Sequence, residues 1–180
     1  MTGSVRCGMN PRCLSSVVGS MRAIPSGTER GDYDAVIVRT DYSDAAGWLA
    51  VLAALKVGDT SGVGDEPLPW TYVIVEDAAW AGASVEDLVR AAAPDEYLSV
   101  VFAADQQTMS GPEHLFLAIS AADPHSEYYA ETVEYGRHFR IVPGQMPVFH
   151  ANLDLGNMGF EEFAAAAQKD AEGVFRGFDD

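Results

Sequence analysis

Three short apolar runs in the chain each end in carboxylate. They are Ala35–Thr40 leading into Asp41, Tyr72–Val75 leading into Glu76 and Asp77, and Val100–Ala104 leading into Asp105. Each is rich in β-branched or aromatic residues and gives way to turn or helix residues, which is how strands covered on both faces of an α/β sheet read. After the first run the spacing turns helical. Trp48, Val51, Leu52 and Leu55 fall at i, i+3, i+4 and i+7 and predict a helix over Ser43–Lys56, capped by Ser43 with Asp44 in its first turn. The Gly-, Asp- and Pro-rich stretch Val57–Pro69 reads as a loop. Ser84 and Asp87 have the spacing of a capping box. The helix they open turns Val85, Leu88, Val89 and Ala92 inward and stops before Pro94.

The second half is less regular. Leu115–Ile119 and His138–Val142 read as strands, and the polar stretch Ala121–Gly136 between them as an exposed loop. Gln145–Leu155 reads as a short helix, and Phe160–Gln168 as a clearer one with Phe160, Phe163, Ala164 and Ala167 on one face. The two aromatics of Gly173–Phe178 are expected to dock on the body. The fold class expected is α/β (or α+β): a single compact domain over residues 32–180, with about five strands in a mixed sheet plus helices. A disordered tail, residues 1–31, precedes it. If the first three strands are parallel neighbours, their C-terminal ends share one edge, where ligands bind in such sheets.

Charge changes the picture by region. The net charge is −16, yet residues 1–31 hold Arg6, Arg12, Arg22 and Arg30 against Glu29, a net +3, which leaves −19 on the other 149 residues. Such a body repels nucleic acid and anionic membrane, because phosphate binding needs dense Lys and Arg. It would attract a basic protein, or the charge serves solubility alone. No apolar stretch approaches the ~20 residues of a membrane-spanning helix. Cys7 and Cys13 both lie in the tail, so the body has no disulfide staple and no cysteine nucleophile, as suits a cytoplasmic protein. For that pair a local disulfide, chance and a non-native start remain open. Cys13–Met21 is too short and too interrupted for a secretory leader, and Met21 is a candidate start.

Several segments together resemble an uncharacterised domain family of small α/β proteins from high-GC actinobacteria. They are VRTDYSDAAGW (Val38–Trp48), VEDAAWAGASVEDL (Val75–Leu88), FAADQQTMSGPEH (Phe102–His114), FRIVPGQM (Phe139–Met146), the run Asn152–Phe163 and the closing GVFRGF (Gly173–Phe178). The resemblance covers nearly the whole body and none of the tail. It implies one α/β domain in a cytoplasmic bacterial protein, and it implies no activity. One departure is Ser120-Ala121-Ala122, where the acid is delayed to Asp123.

The candidate chemistry sits at the expected sheet edge. Asp41, Asp44, Glu76, Asp77 and Asp105 could gather around a hard divalent cation, or, as like charges held close, raise a pKa and create a general acid or base. The competing reading is structural: acids cap helices and close Asx turns. Paired acids after the first strand and a strand-end lysine are both missing, so the edge is unlike that of a phosphoacceptor receiver. Arg39, in a strand that otherwise reads as buried, needs a partner. An internal pair with the edge carboxylates is one answer, and a clamp for an anionic ligand is the other. His114, His125, His138 and His150 lack metal spacing and read as exposed or capping. Trp48, Trp70 and Trp80 read as core, with Trp80 also a candidate exposed anchor. No nucleophile elbow or phosphate loop occurs. Three uses follow as expectations. The first is an acidic protein-binding or regulatory accessory module, immunity- or inhibitor-like, with a basic partner and no cofactor. The second is a small metal-dependent enzyme or ligand-binding domain using the carboxylate edge. The third is an oligomerising structural domain.

Overall fold

The computed structural model describes residues 11–14, 22–27, 29–31, 33–58 and 70–178. Its strands are β1 (Pro11–Leu14), β2 (Ala35–Arg39), β3 (Tyr72–Val75), β4 (Val100–Ala104), β5 (Phe116–Ser120), β6 (His138–Ile141) and β7 (Val174–Phe175). Its helices are α1 (Ala45–Gly58), α2 (Val85–Ala92), α3 (Gln106–Ser110), α4 (Tyr129–Thr132), α5 (Met146–Asp154) and α6 (Phe160–Lys169). Six strands of the body form one mixed sheet, and β1 adds a seventh at its edge, in the order β1-β3-β2-β4-β5-β6-β7. The first three apolar runs of the sequence are parallel neighbours, with Ile37 opposite both Ile74 and Phe102. β5 then reverses direction against β4 and β6. β7 closes the far side parallel to β6.

Every residue of β2 and β4 is buried, which explains why neither strand alternates. Successive side chains feed two different cores. Ala35, Ile37, Ile74, Phe102 and Phe116 face a thick layer built from α1, α3, α5 and α6. Its centre is aromatic: Phe149 lies 4.7 Å from Phe163 and 5.3 Å from Phe139, ring centre to ring centre, in edge-on arrangements. Val36, Val38, Val101 and Ile119 face a thinner layer made by Leu88 and Ala92 of α2, Trp80 and Ile24. Trp80 is fully buried there, core and not an exposed anchor. Among the described residues no helix is long and apolar enough to cross a membrane.

The helix termini follow local chemistry. Ser84 and Asp87 form the reciprocal capping box their spacing predicts, at 3.2 and 3.1 Å. At α1 the cap is Asp44 in place of Ser43. The Asp44 carboxylate accepts the N–H groups of Ala46 and Gly47, each at 2.9 Å, so the helix begins at Ala45. Two short helices appear where the sequence predicts turn or loop, α3 after Asp105 and α4 inside Ala121–Gly136. Phe175 is buried and Phe178 lies 5.2 Å from the Phe163 ring, so the closing aromatics dock on α6.

Within the expected tail, residues 22–27 and 29–31 lie against the body. Arg22 pairs with Asp87 and stacks 5.8 Å over Trp80, Ile24 packs on the thin layer, and Arg30 is buried against Asp95. β1 pairs with β3. Cys7, Met21 and most of the 57–69 loop fall outside the described residues.

Candidate functional site

Because β3, β2 and β4 are adjacent and parallel, Glu76, Asp77, Asp41 and Asp105 all follow strand ends on one edge. The edge is held by two arginine pairs and a set of helix starts. Arg39, the last residue of β2, donates to Glu76 Oε1 at 2.6 Å and to the Asp41 carbonyl at 2.8 Å. Its guanidinium lies between the Tyr42 ring, 4.4 Å away, and the Trp48 ring, 4.9 Å away. The internal pair is therefore the geometry present. Burial pushes the Tyr42 hydroxyl up to about 12, Glu76 and Asp77 adding to the rise against the opposing charge of Arg39.

Asp105 is the most fully engaged acid. Arg140 from β6 donates to its two oxygens at 3.0 and 2.6 Å, a bidentate fork. Thr108 N–H donates to it at 3.1 Å while the Thr108 hydroxyl accepts from the Asp105 N–H at 3.2 Å, so Asp105 also caps α3. Burial works to raise its pKa, and the Arg140 guanidinium with the Thr108 N–H overrides that and holds it below the ordinary carboxylate value. Asp77 accepts from Ala79 N–H, and Asp41 from Ser43 N–H, each at 2.9 Å. Asp44 sits against the α3 end of the layer. A Cβ on Gly47 would stand 2.7 Å from its carboxylate and 3.0 Å from the Met109 carbonyl, so only glycine lets α1 approach α3 here.

The five candidate acids thus share an edge, and each either accepts backbone N–H groups or pairs with arginine. Among the described residues no group of three His, Cys, Asp or Glu side chains is placed to hold a metal ion. Asp41 Oδ2 is the one carboxylate oxygen of the edge found buried without a hydrogen-bond partner among them.

The opposite edge, where β2 and β4 begin, carries groups that sequence reasoning passed over. Arg30, with its side chain 2% exposed, donates to Asp95 at 2.9 Å and to the Asp34 carbonyl at 3.3 Å. His150 is buried, contrary to the expectation of exposed or capping histidines, and its Nδ1 lies 3.3 Å from Asp154 Oδ2. Burial lowers its pKa to about 4, with Arg30 adding to the drop and Asp34 opposing it. The four-residue spacing of His150 and Asp154 on a predicted helix is the one local signal that pointed here.

Residues 34–178 match a family model described as a domain of unknown function, DUF6924. The chain belongs to the DUF6924 family. No curated protein matches it. The DUF6924 match takes in β2 to β7, while β1, Arg30 and Tyr33 precede it.

Proposed function

We propose that this DUF6924 protein is an acidic protein-binding module that engages a basic partner, as a regulatory accessory or inhibitor-like protein does. The observation that carries the reading is the division of its charges between internal and outward use. Arg22, Arg30, Arg39, Arg90, Arg140 and Arg176 each hold a carboxylate of the same chain. Asp123, Glu127, Glu131 and Glu134 are exposed, with no cationic partner among the described residues. They lie on the stretch around α4 together with the exposed rings of Tyr128 and Tyr135. Carboxylates steer a basic surface into contact, and aromatic rings anchor it once there.

A bacterial cytoplasm suits this reading, since residues 32–180 contain no cysteine. The divalent-cation reading has one observation in its favour, the orphaned Asp41 Oδ2, against a set of neighbours already engaged. The test is capture of basic proteins on the immobilised chain at low salt. Recovery that falls steeply with added salt, and that weakens in Glu127→Gln/Glu131→Gln/Glu134→Gln, supports the module. No recovery at low salt overturns it.

A further inference from the structure

Three cavities lie along the edge where β2 and β4 begin, and Glu96 lines all of them. One of them has a volume of about 680 Å³. Three separate segments make its wall. Tyr33 comes from the approach to β2, Glu96 and Tyr97 from the approach to β4, and Asp154 from the last turn of α5.

The wall is suited to a cation. Tyr33 and Tyr97 are 70% and 74% exposed, so their rings are available as cation–π faces. Glu96 is exposed and has no ion-pair partner among the described residues. Asp154 sits at the C-terminal end of α5, where the helix carbonyls add negative potential. Its neighbour His150 is held neutral by burial, so that contact does not cancel the carboxylate charge. Burial also raises the Asp154 pKa, against the lowering effect of the Arg30 charge. The wall's own cation, Arg30, commits its terminal nitrogens within the chain, one donating to Asp95 and the other to the Gly31 and Asp34 carbonyls, while its Nε is buried without a hydrogen-bond partner among the described residues. Beside that arginine, the groups left to meet an incoming ligand are the Glu96 and Asp154 carboxylates and the two tyrosine rings.

We propose that this cavity receives an alkylammonium group, namely a lysine side chain of the basic partner, its stem against Tyr33 and Tyr97 and its ammonium toward Glu96 and Asp154. The partner half of this statement rests on the protein-binding reading above. The ammonium half stands on the cavity alone.

The experiment is a solution NMR titration of the full chain with the end-blocked peptide Gly-Lys-Gly. The amide signals of Tyr97, Ser99 and Asp154 report the cavity. Saturable shifts are expected with this peptide and not with its lysine-acetylated form. Glu96→Gln/Asp154→Asn is expected to weaken binding by about tenfold or more, and Tyr97→Ala by about threefold to tenfold. Asp154→Asn removes a partly buried charge, so a thermal melt no lower than wild type separates lost binding from lost folding. Equal shifts with the acetylated peptide, or unchanged affinity in Glu96→Gln/Asp154→Asn, overturn the proposal. Butylammonium binding as tightly as the peptide overturns the partner half. If the peptide fails while salt-sensitive capture of basic proteins persists, the cavity proposal falls and the module reading stands. If the peptide binds and capture fails, the module reading and the partner half fall, and the alkylammonium site remains.

Discussion

At the C-terminal ends of β2, β3 and β4, Glu76 and Asp105 meet arginines at 2.6 Å, while Asp41 and Asp77 meet backbone N–H groups at 2.9 Å. At the N-terminal ends, Glu96 is exposed with no ion-pair partner among the described residues, and Asp154 lies beside the buried His150 while the nearby Arg30 pairs with Asp95 instead. Both edges are rich in carboxylate. The first uses it to tie strand ends to helix starts, and the second leaves Glu96 and Asp154 without an arginine of their own. Acid content alone therefore says little about where a ligand binds. What matters is whether each charge has been answered within the chain.

The sharpest way to test this contrast is pH. Folding lowers His150 from 6.5 to about 4, so between those values the unfolded chain binds more protons than the folded one. Stability is fully present above pH 6.5 and drains away as pH falls toward about 4, by roughly 3 kcal/mol at about 1.4 kcal/mol per unit. The raised Asp154 pKa works the other way, returning some stability as that carboxyl protonates. Urea midpoints across this range, in wild type and His150→Gln, should show the slope in the first and a flatter one in the second. A shared slope would move the acid sensitivity elsewhere.

The carboxylate edge supplies the next effect. Asp105→Ala removes the α3 cap and leaves Arg140 without its fork, a loss of about 2 kcal/mol by equilibrium denaturation. A loss near zero would mean that the pair only decorates the edge. Smaller still, Asp154→Asn should raise stability at neutral pH by less than about 1 kcal/mol, since it removes a partly buried charge. A clear drop in its Tm would show that the carboxylate is answered within the chain after all. The smallest expected effect is none. Mg2+, Ca2+ and Mn2+ should leave the wild-type Tm where EDTA leaves it. A cation binding at a hundred times its Kd would add about 2.7 kcal/mol, and a shift of that kind absent from Asp41→Asn would put the ion on Asp41.

Much of the first edge is legible in the sequence. The apolar runs and their terminal acids locate β2, β3 and β4, and a lone arginine in a buried run asks for the partner it has in Glu76. α3 was legible in principle, because Asp105 and Thr108 stand at capping-box spacing. Without a longer apolar stripe behind them, an Asx turn read equally well. Ser43 outranks Asp44 as a cap by position alone, and which one closes on the N–H groups depends on how the chain leaves β2. β7 is two residues long and exists through its pairing with β6, so nothing local marks it. The second edge was not legible. Tyr33, Tyr97 and Asp154 come from three distant segments joined by topology, and the composition around Arg30 reads as tail.

The stretch that carries Arg30 and Tyr33 precedes the DUF6924 match, yet it forms part of the cavity wall. Sheet and cavity therefore have different boundaries along the chain. A version trimmed to residues 34–178 would retain β2 to β7 while opening one wall of the cavity and stranding Asp95. The segment that completes the cavity wall thus lies outside the matched region that supplies β2 to β7. In such a molecule selectivity would be swapped by exchanging a strap of about ten residues, much as a lid is exchanged on a fixed vessel.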